Sequence, residues 1–282
     1  MSRGGRVPVF VVLDIDNTLL STCRRFSASH PFAVSGALVR QQTLCYHDAE
    51  RGRCVHDCTF TMRPHVPEFL RVVSGALSTS RVAVRVGLFT RNTPSYAHAV
   101  AEQLLRPLMP VPLAFALGSS RCCGPDGRQK SVSVTGAPAT SLLVDDKCGS
   151  LVPREFFSGR GALVQPFFTG VRQWGPEEEM DDVLSCGERF ATPEIDSNNS
   201  SSRKDDDDDD DVVESCLLGC GADAEVTLCA LIEAFVAFWH DNGNEVSASG
   251  ETDLLQHPRA TRYRACWSSY HAPVEERLAC IT

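Results

Sequence analysis

The stretch VFVVLDIDNTLLS, Val9 to Ser21, places Asp14 and Asp16 two residues apart at the end of an apolar, β-branched run. In an extended segment residues i and i+2 face the same way, so both carboxylates address one point. Thr90 ends a second apolar run, VAVRVGLFT, and Asp145 and Asp146 end a third, SLLVDD. Lys130 lies in the segment before that third run, with Arg121 and Arg128 as rival cations nearby. Clustered carboxylates repel one another unless a cation joins them, and a hard divalent ion with oxygen ligands, Mg²⁺ first, answers that need. With a hydroxyl and an ammonium added, the set suits a phosphate whose phosphorus a carboxylate attacks.

These groups meet only if the runs that carry them are neighbouring strands. Val9 to Leu13 reads as a central parallel strand, covered on both faces. Val82 to Thr90, Val111 to Leu117, Ser141 to Asp146 and Ala162 to Phe167 read as further strands, and Arg53 to Met62 as a more alternating one. Between them lie helical patterns. Val66, Phe69, Leu70 and Val73 share one face, and Tyr96, Val100 and Leu104 another, the latter behind a Thr93 N-cap and Pro94. Strands alternating with helices predict a parallel α/β sheet with right-handed crossovers. In such a sheet ligands bind beyond the carboxyl ends of the strands, where these polar residues fall.

The chain has 282 residues, 43% of them hydrophobic, enough for one sizeable core with extensions. Its net charge of −9 misleads, because Asp205 to Asp211 supply seven negative charges and the remainder sums to −2. Nothing in this balance suggests a nucleic-acid surface. No apolar stretch is long enough to span a membrane, and the N-terminus lacks the apolar core of a secretory signal. The expected location is nuclear or cytoplasmic, and the thirteen cysteines are expected as thiols. The expected organisation is an N-terminal tail (1–6), a core (7–172), a disordered acidic insertion (173–222), a closing helix (223–240) with one apolar face, and a weakly patterned extension (241–282).

LDIDNTL matches the DxDxT signature of haloacid-dehalogenase-type (HAD) phosphotransferases. RPHVPEFL (63–70), LFT with the following YA and Val100, Lys130 and VDD (144–146) come in the same order as in one branch of them. Over residues 7–172 and 223–240 the chain resembles the phosphatases of the RNA polymerase II C-terminal domain, the NLI-interacting-factor-like branch. The resemblance implies a Rossmannoid, HAD-like α/β fold with a small β-hairpin insert and no large cap. It implies a Mg²⁺-dependent protein serine/threonine phosphatase, a phosphoric monoester hydrolase whose substrate is a phosphorylated protein segment. Asp14 would be the nucleophile, forming an aspartyl-phosphate, and Asp16 the general acid and then base. Mg²⁺ would be held by the Asp14 carboxylate, the Asp16 backbone carbonyl and Asp146, with Asp145 supporting. Thr90 would hydrogen-bond the phosphoryl group, Lys130 would neutralise it, and Thr18 would support the loop.

Departures from that pattern fall at Asn17, where glutamate is common, at Arg91 and Asn92, where small residues usually follow the threonine, and at Lys147-Cys148. Arg91 and Asn92 are thereby candidate substrate contacts, and these changes bear on specificity more than on chemistry. Two rival readings remain: a non-catalytic polypeptide-binding module related to a mitochondrial presequence translocase receptor subunit, and a small-molecule HAD phosphatase. Cys45, His47, Cys54, His56 and Cys58 invite a zinc reading, but their spacing matches no common zinc module. They are expected to lie in a plain β-hairpin insert.

Overall fold

The computed structural model describes residues 5–22, 40–63, 65–164, 167, 222–246 and 253–272. The expected acidic insertion therefore lies outside the described residues, apart from Ala222.

A five-stranded parallel sheet forms the centre, in the order β6-β5-β1-β7-β8. Its strands are β1 (Val7–Leu13), β5 (Val82–Phe89), β6 (Phe115–Leu117), β7 (Ser141–Asp145) and β8 (Gly161–Leu163). Val9 to Leu13 are buried throughout, as a strand covered on both faces must be. The chain leaves β1 toward β5 and β6 on one side and returns to β7 and β8 on the other. β1 and β7 thus flank a topological switch point, where a crevice opens at the carboxyl ends.

Register fixes what reaches that crevice. Leu13 pairs with Leu88 on one side and Val144 on the other. Asp14 N–H continues the ladder, donating to Val144 O at 2.9 Å. Asp14, Thr90, Asp145 and Asp146 consequently leave the sheet along the same edge.

A second, antiparallel sheet, β2-β4-β3, is inserted between Asp16 and Arg63. It comprises β2 (Leu20–Thr22), β3 (Arg40–Asp48) and β4 (Arg53–Met62). β3 and β4 form the expected β-hairpin, although residues 22–53 show no steady alternation that marks the bounds of β3. Its register shifts between Leu44 and Tyr46, a bulge at Cys45 that interrupts the pattern.

Helices flank the parallel sheet. α1 (Val66–Arg71) and α2 (Pro94–Ala99) follow the expected apolar faces, and each ends in a wider π-helical turn, Val72–Ala76 and Val100–Leu105. α3 (Pro153–Glu155) leads through a similar turn into β8. α4 (Ala222–Val246) runs beyond the expected 223–240 and packs on β1 and β5 with Leu228, Leu231, Ile232, Phe235 and Trp239 buried. β6 is shorter than the expected Val111 to Leu117, since Pro112 has no N–H to give a ladder. β8 stops at Leu163, short of the expected Phe167, and residues 165–166 lie outside the described residues.

A last helix, α5 (Thr261–His271), was not expected in the weakly patterned extension. It covers the open side of β8. Trp267 Nε1 donates to Gly161 O at 3.0 Å, and Leu163 N–H donates to His271 Nε2 at 3.2 Å. A sheet edge is thereby satisfied by side chains rather than by another strand. Among the described residues no helix is long and apolar enough to cross a membrane.

Candidate active site

Beyond Leu13 the backbone breaks from the strand into a tight turn. Leu19 and Leu20 N–H both donate to Ile15 O, and Asn17 takes φ 60°, a left-handed conformation that asparagine tolerates. This turn aims the two carboxylates differently. Asp14 Oδ2 accepts the Thr18 hydroxyl at 3.1 Å, and Asp14 Oδ1 accepts from Lys130 Nζ. Asp16 faces the other wall, where Oδ1 accepts the Tyr96 hydroxyl at 2.6 Å and Oδ2 the Thr90 hydroxyl at 3.1 Å.

Lys130 is 1% exposed and bridges Asp14 and Asp145, with Nζ 2.7 Å from Asp145 Oδ2. Lys130 N–H donates to Ser150 O at 2.7 Å, holding its segment against the loop after β7. Asp145 Oδ1 accepts Lys147 N–H at 2.8 Å. Arg121 and Arg128, the rival cations, do not line the site.

A cavity of ≈ 20 Å³, room for a water-sized group, is lined by Asp14, Asp16, Thr90, Lys130, Asp145 and Asp146, with Arg91, Lys147 and Ser150. Two expected contacts stand outside that lining. Thr18 acts behind Asp14, and Asn92 turns its side-chain oxygen to Thr93 N–H at 2.9 Å.

Electrostatics follow from burial. Desolvation raises the Asp14 carboxyl well above the usual carboxylate range, partly countered by Lys130 and reinforced by the neighbouring aspartates. Desolvation raises Asp16 too, with the Tyr96 and Thr90 hydroxyls pulling it back. Burial alone would lower the Lys130 ammonium, but Asp14 and Asp145 outweigh it and hold the charge firmly.

Carboxylate oxygens of Asp14, Asp145 and Asp146 all lie within 4.8 Å of one another, and all three residues are buried. An all-oxygen, anionic set of this size fits a hard divalent ion such as Mg²⁺. Asp145 also accepts from Lys130 Nζ and from Lys147 N–H. Among the described residues no other such group exists, and Cys45, His47, Cys54 and Cys58 do not converge as metal ligands.

Tyr96 was legible only as part of a buried helical face. A tyrosine rather than a phenylalanine on such a face calls for a hydroxyl partner, but nothing in the spacing names Asp16. Lys147 and Ser150 were likewise not foreseen at the cavity.

Two solved structures share features of this chain. One is Fcp1, described as an essential RNA polymerase II CTD phosphatase, with 19% identity, TM-score 0.41, 58% of this chain covered and 44% of that one. The other is the fission yeast RNA polymerase II CTD phosphatase Fcp1, as a variant bound to beryllium fluoride, with 14% identity, TM-score 0.47, and coverage of 86% and 66%. The chain thus spans under two thirds of the length of each. No curated protein matches it. The profile of NLI interacting factor-like phosphatases matches residues 9–170, more than half of the chain, and the chain belongs to that family.

Proposed function

We propose that this protein is a Mg²⁺-dependent protein serine/threonine phosphatase working through an aspartyl-phosphate. The observation that carries the reading is the convergence of Asp14, Asp16, Thr90, Lys130, Asp145 and Asp146 on one cavity from four separate segments. An Asp14 oxygen attacks phosphorus while the ester P–O bond breaks, and Asp16 gives its proton to the leaving serine or threonine oxygen. A water then attacks the same phosphorus, Asp16 takes the water's proton, and the Asp14–phosphorus bond breaks to release phosphate. The raised Asp16 carboxyl suits this double duty, because it holds a proton closer to neutral pH than an exposed aspartate does.

Lys130 and the Thr90 hydroxyl offer donors to the phosphoryl oxygens, and the fixed ammonium needs no reorganisation as charge develops. Asp14, Asp146 and the Asp16 carbonyl would hold Mg²⁺, which when bound supplies Lewis-acid polarisation of the phosphoryl group. The small β2-β4-β3 insert is the only cap among the described residues, leaving the mouth accessible to an extended phosphopeptide. We take residues 7–172 and 223–240 as one catalytic unit. Peptides resembling the RNA polymerase II C-terminal domain are the first substrates to test, and a nuclear or cytoplasmic location accords with them.

The test is hydrolysis of p-nitrophenyl phosphate and of phosphoserine peptides. Turnover is expected to need Mg²⁺, to stop with EDTA, and to fall by about 10³-fold or more in Asp14→Asn. Robust turnover by that variant would remove Asp14 from the role of nucleophile.

A further inference from the structure

The cations of the cavity are layered. Lys130 is 1% exposed at the floor, whereas Arg91 and Lys147 are partly exposed at the rim. Each rim cation directly follows a site residue, Arg91 after Thr90 and Lys147 after Asp146, so the strand ends that deliver the chemistry also deliver the charge. Arg91 Nη1 reaches Ser150 Oγ at 3.5 Å, and the backbone at Lys147 is fixed by its N–H, which Asp145 Oδ1 accepts.

On the phosphatase reading, the reacting phosphoryl group has three non-bridging oxygens. The Thr90 hydroxyl, the Lys130 ammonium and the divalent ion provide a partner for each. Those three partners do not include Arg91 and Lys147, which line the same cavity above them. A peptide in extended form advances about 3.3 Å per residue with alternate side chains on one face, so the side chain two positions away comes to the rim while the phosphorylated one occupies the floor. A planar guanidinium and an ammonium at a half-desolvated rim recognise carboxylate or phosphate oxygens.

We propose that Arg91 and Lys147 form an anion-reading rim, selecting phosphopeptides that carry a second anionic group, carboxylate or phosphate, two positions from the reacting one. This rests on the phosphatase reading, and its test is made by binding so that the two can fail separately.

The full chain carrying Asp14→Asn, with Mg²⁺, is titrated with three peptides of one sequence: one phosphoserine among neutral neighbours, the same with an aspartate two positions away, and the same with a second phosphoserine two positions away. The two doubly anionic peptides are expected to bind about tenfold tighter, the worth of one charge-assisted hydrogen bond. Arg91→Gln with Lys147→Gln is expected to bring that ratio to about one, and Arg91→Lys with Lys147→Arg to keep most of it. A preference for only one of the two anionic peptides assigns the rim to that anion. Equal affinity for all three, no binding of any, or an equal loss across all three in the glutamine variant overturns the rim. Persistent catalysis by Asp14→Asn instead overturns the phosphatase mechanism and leaves the binding ratio readable.

Discussion

Asp16 is half-buried beneath two hydroxyl donors, and its carboxyl is raised by desolvation. A raised folded-state value means that the folded protein keeps this proton to a higher pH than the unfolded chain. In the absence of metal, stability is then greatest near and below the unfolded value, about 3.9, and declines as pH rises toward the folded value. Asp16→Asn removes that penalty while keeping an acceptor for Tyr96. Metal-free Asp16→Asn is therefore expected to melt above the wild type at neutral pH, by about 1 kcal/mol or 2–4 °C. The gap should narrow on acidification toward pH 4 in a series of thermal melts, and phosphatase turnover should be lost in the same variant. Tyr96→Phe deletes the 2.6 Å donor but not the ring. Its kcat is expected to fall about tenfold with KM nearly unchanged. Because the lost bond favours the Asp16 anion, the limb of the pH–rate profile governed by Asp16 should move to higher pH.

At the scale of elements, the insert braces the helix that carries Tyr96. The hairpin between β3 and β4 presents Asp48, fully buried, whose carboxylate accepts Arg51 N–H at 3.2 Å and the Thr93 hydroxyl at 3.4 Å. Thr93 in turn caps α2 by accepting Tyr96 N–H at 3.3 Å. A carboxylate at this end also suits the helix dipole. Gln103, in the turn that prolongs α2, clasps the backbone of the bulged Cys45 through both amide atoms, at 2.7 and 3.4 Å. Gly118 lets the end of β6 close on the same helix start, where a Cβ would meet Pro94 N at 2.4 Å. Asp48→Ala is expected to cost about 2 kcal/mol in urea unfolding, since it leaves buried donors unpaired. It should also lower kcat several-fold, because α2 then holds Tyr96 less firmly. Unchanged kcat in a folded Asp48→Ala protein would separate the insert from the chemistry.

Across the whole molecule, the site is suspended between layers that the C-terminal helices complete. α4 covers β1 and β5, while α5 closes β8 and packs Trp267 tilted and His271 edge-on against Phe156, with ring centroids 5.3 and 5.2 Å away. β8 pairs with β7, and β7 leads into Asp145 and Asp146 of the cavity, so loosening α5 loosens the floor of the site. Trp267→Ala removes a large ring and the donor to Gly161 O. It is expected to destabilise by about 3–5 kcal/mol, a fall in Tm of about 10 °C or more by calorimetry.

The sequence by itself determined the local units and the chemistry they carry. Apolar runs ending in Asp14, Thr90 and Asp145 identify strands and their polar tips, because burial on both faces demands uninterrupted apolar side chains. The order of those motifs matched a family whose profile covers residues 9–170. The tertiary structure alone decided the pairings. Lys130 meets Asp14 across 116 positions and Tyr96 meets Asp16 across 80, distances at which periodicity carries no information. It also decided that a bulged β3 pairs with β4, and that α5 returns to seal β8. The physical reason is common to all of these: hydrophobic pattern records which face of an element is buried, whereas strand register and side-chain reach decide what it is buried against.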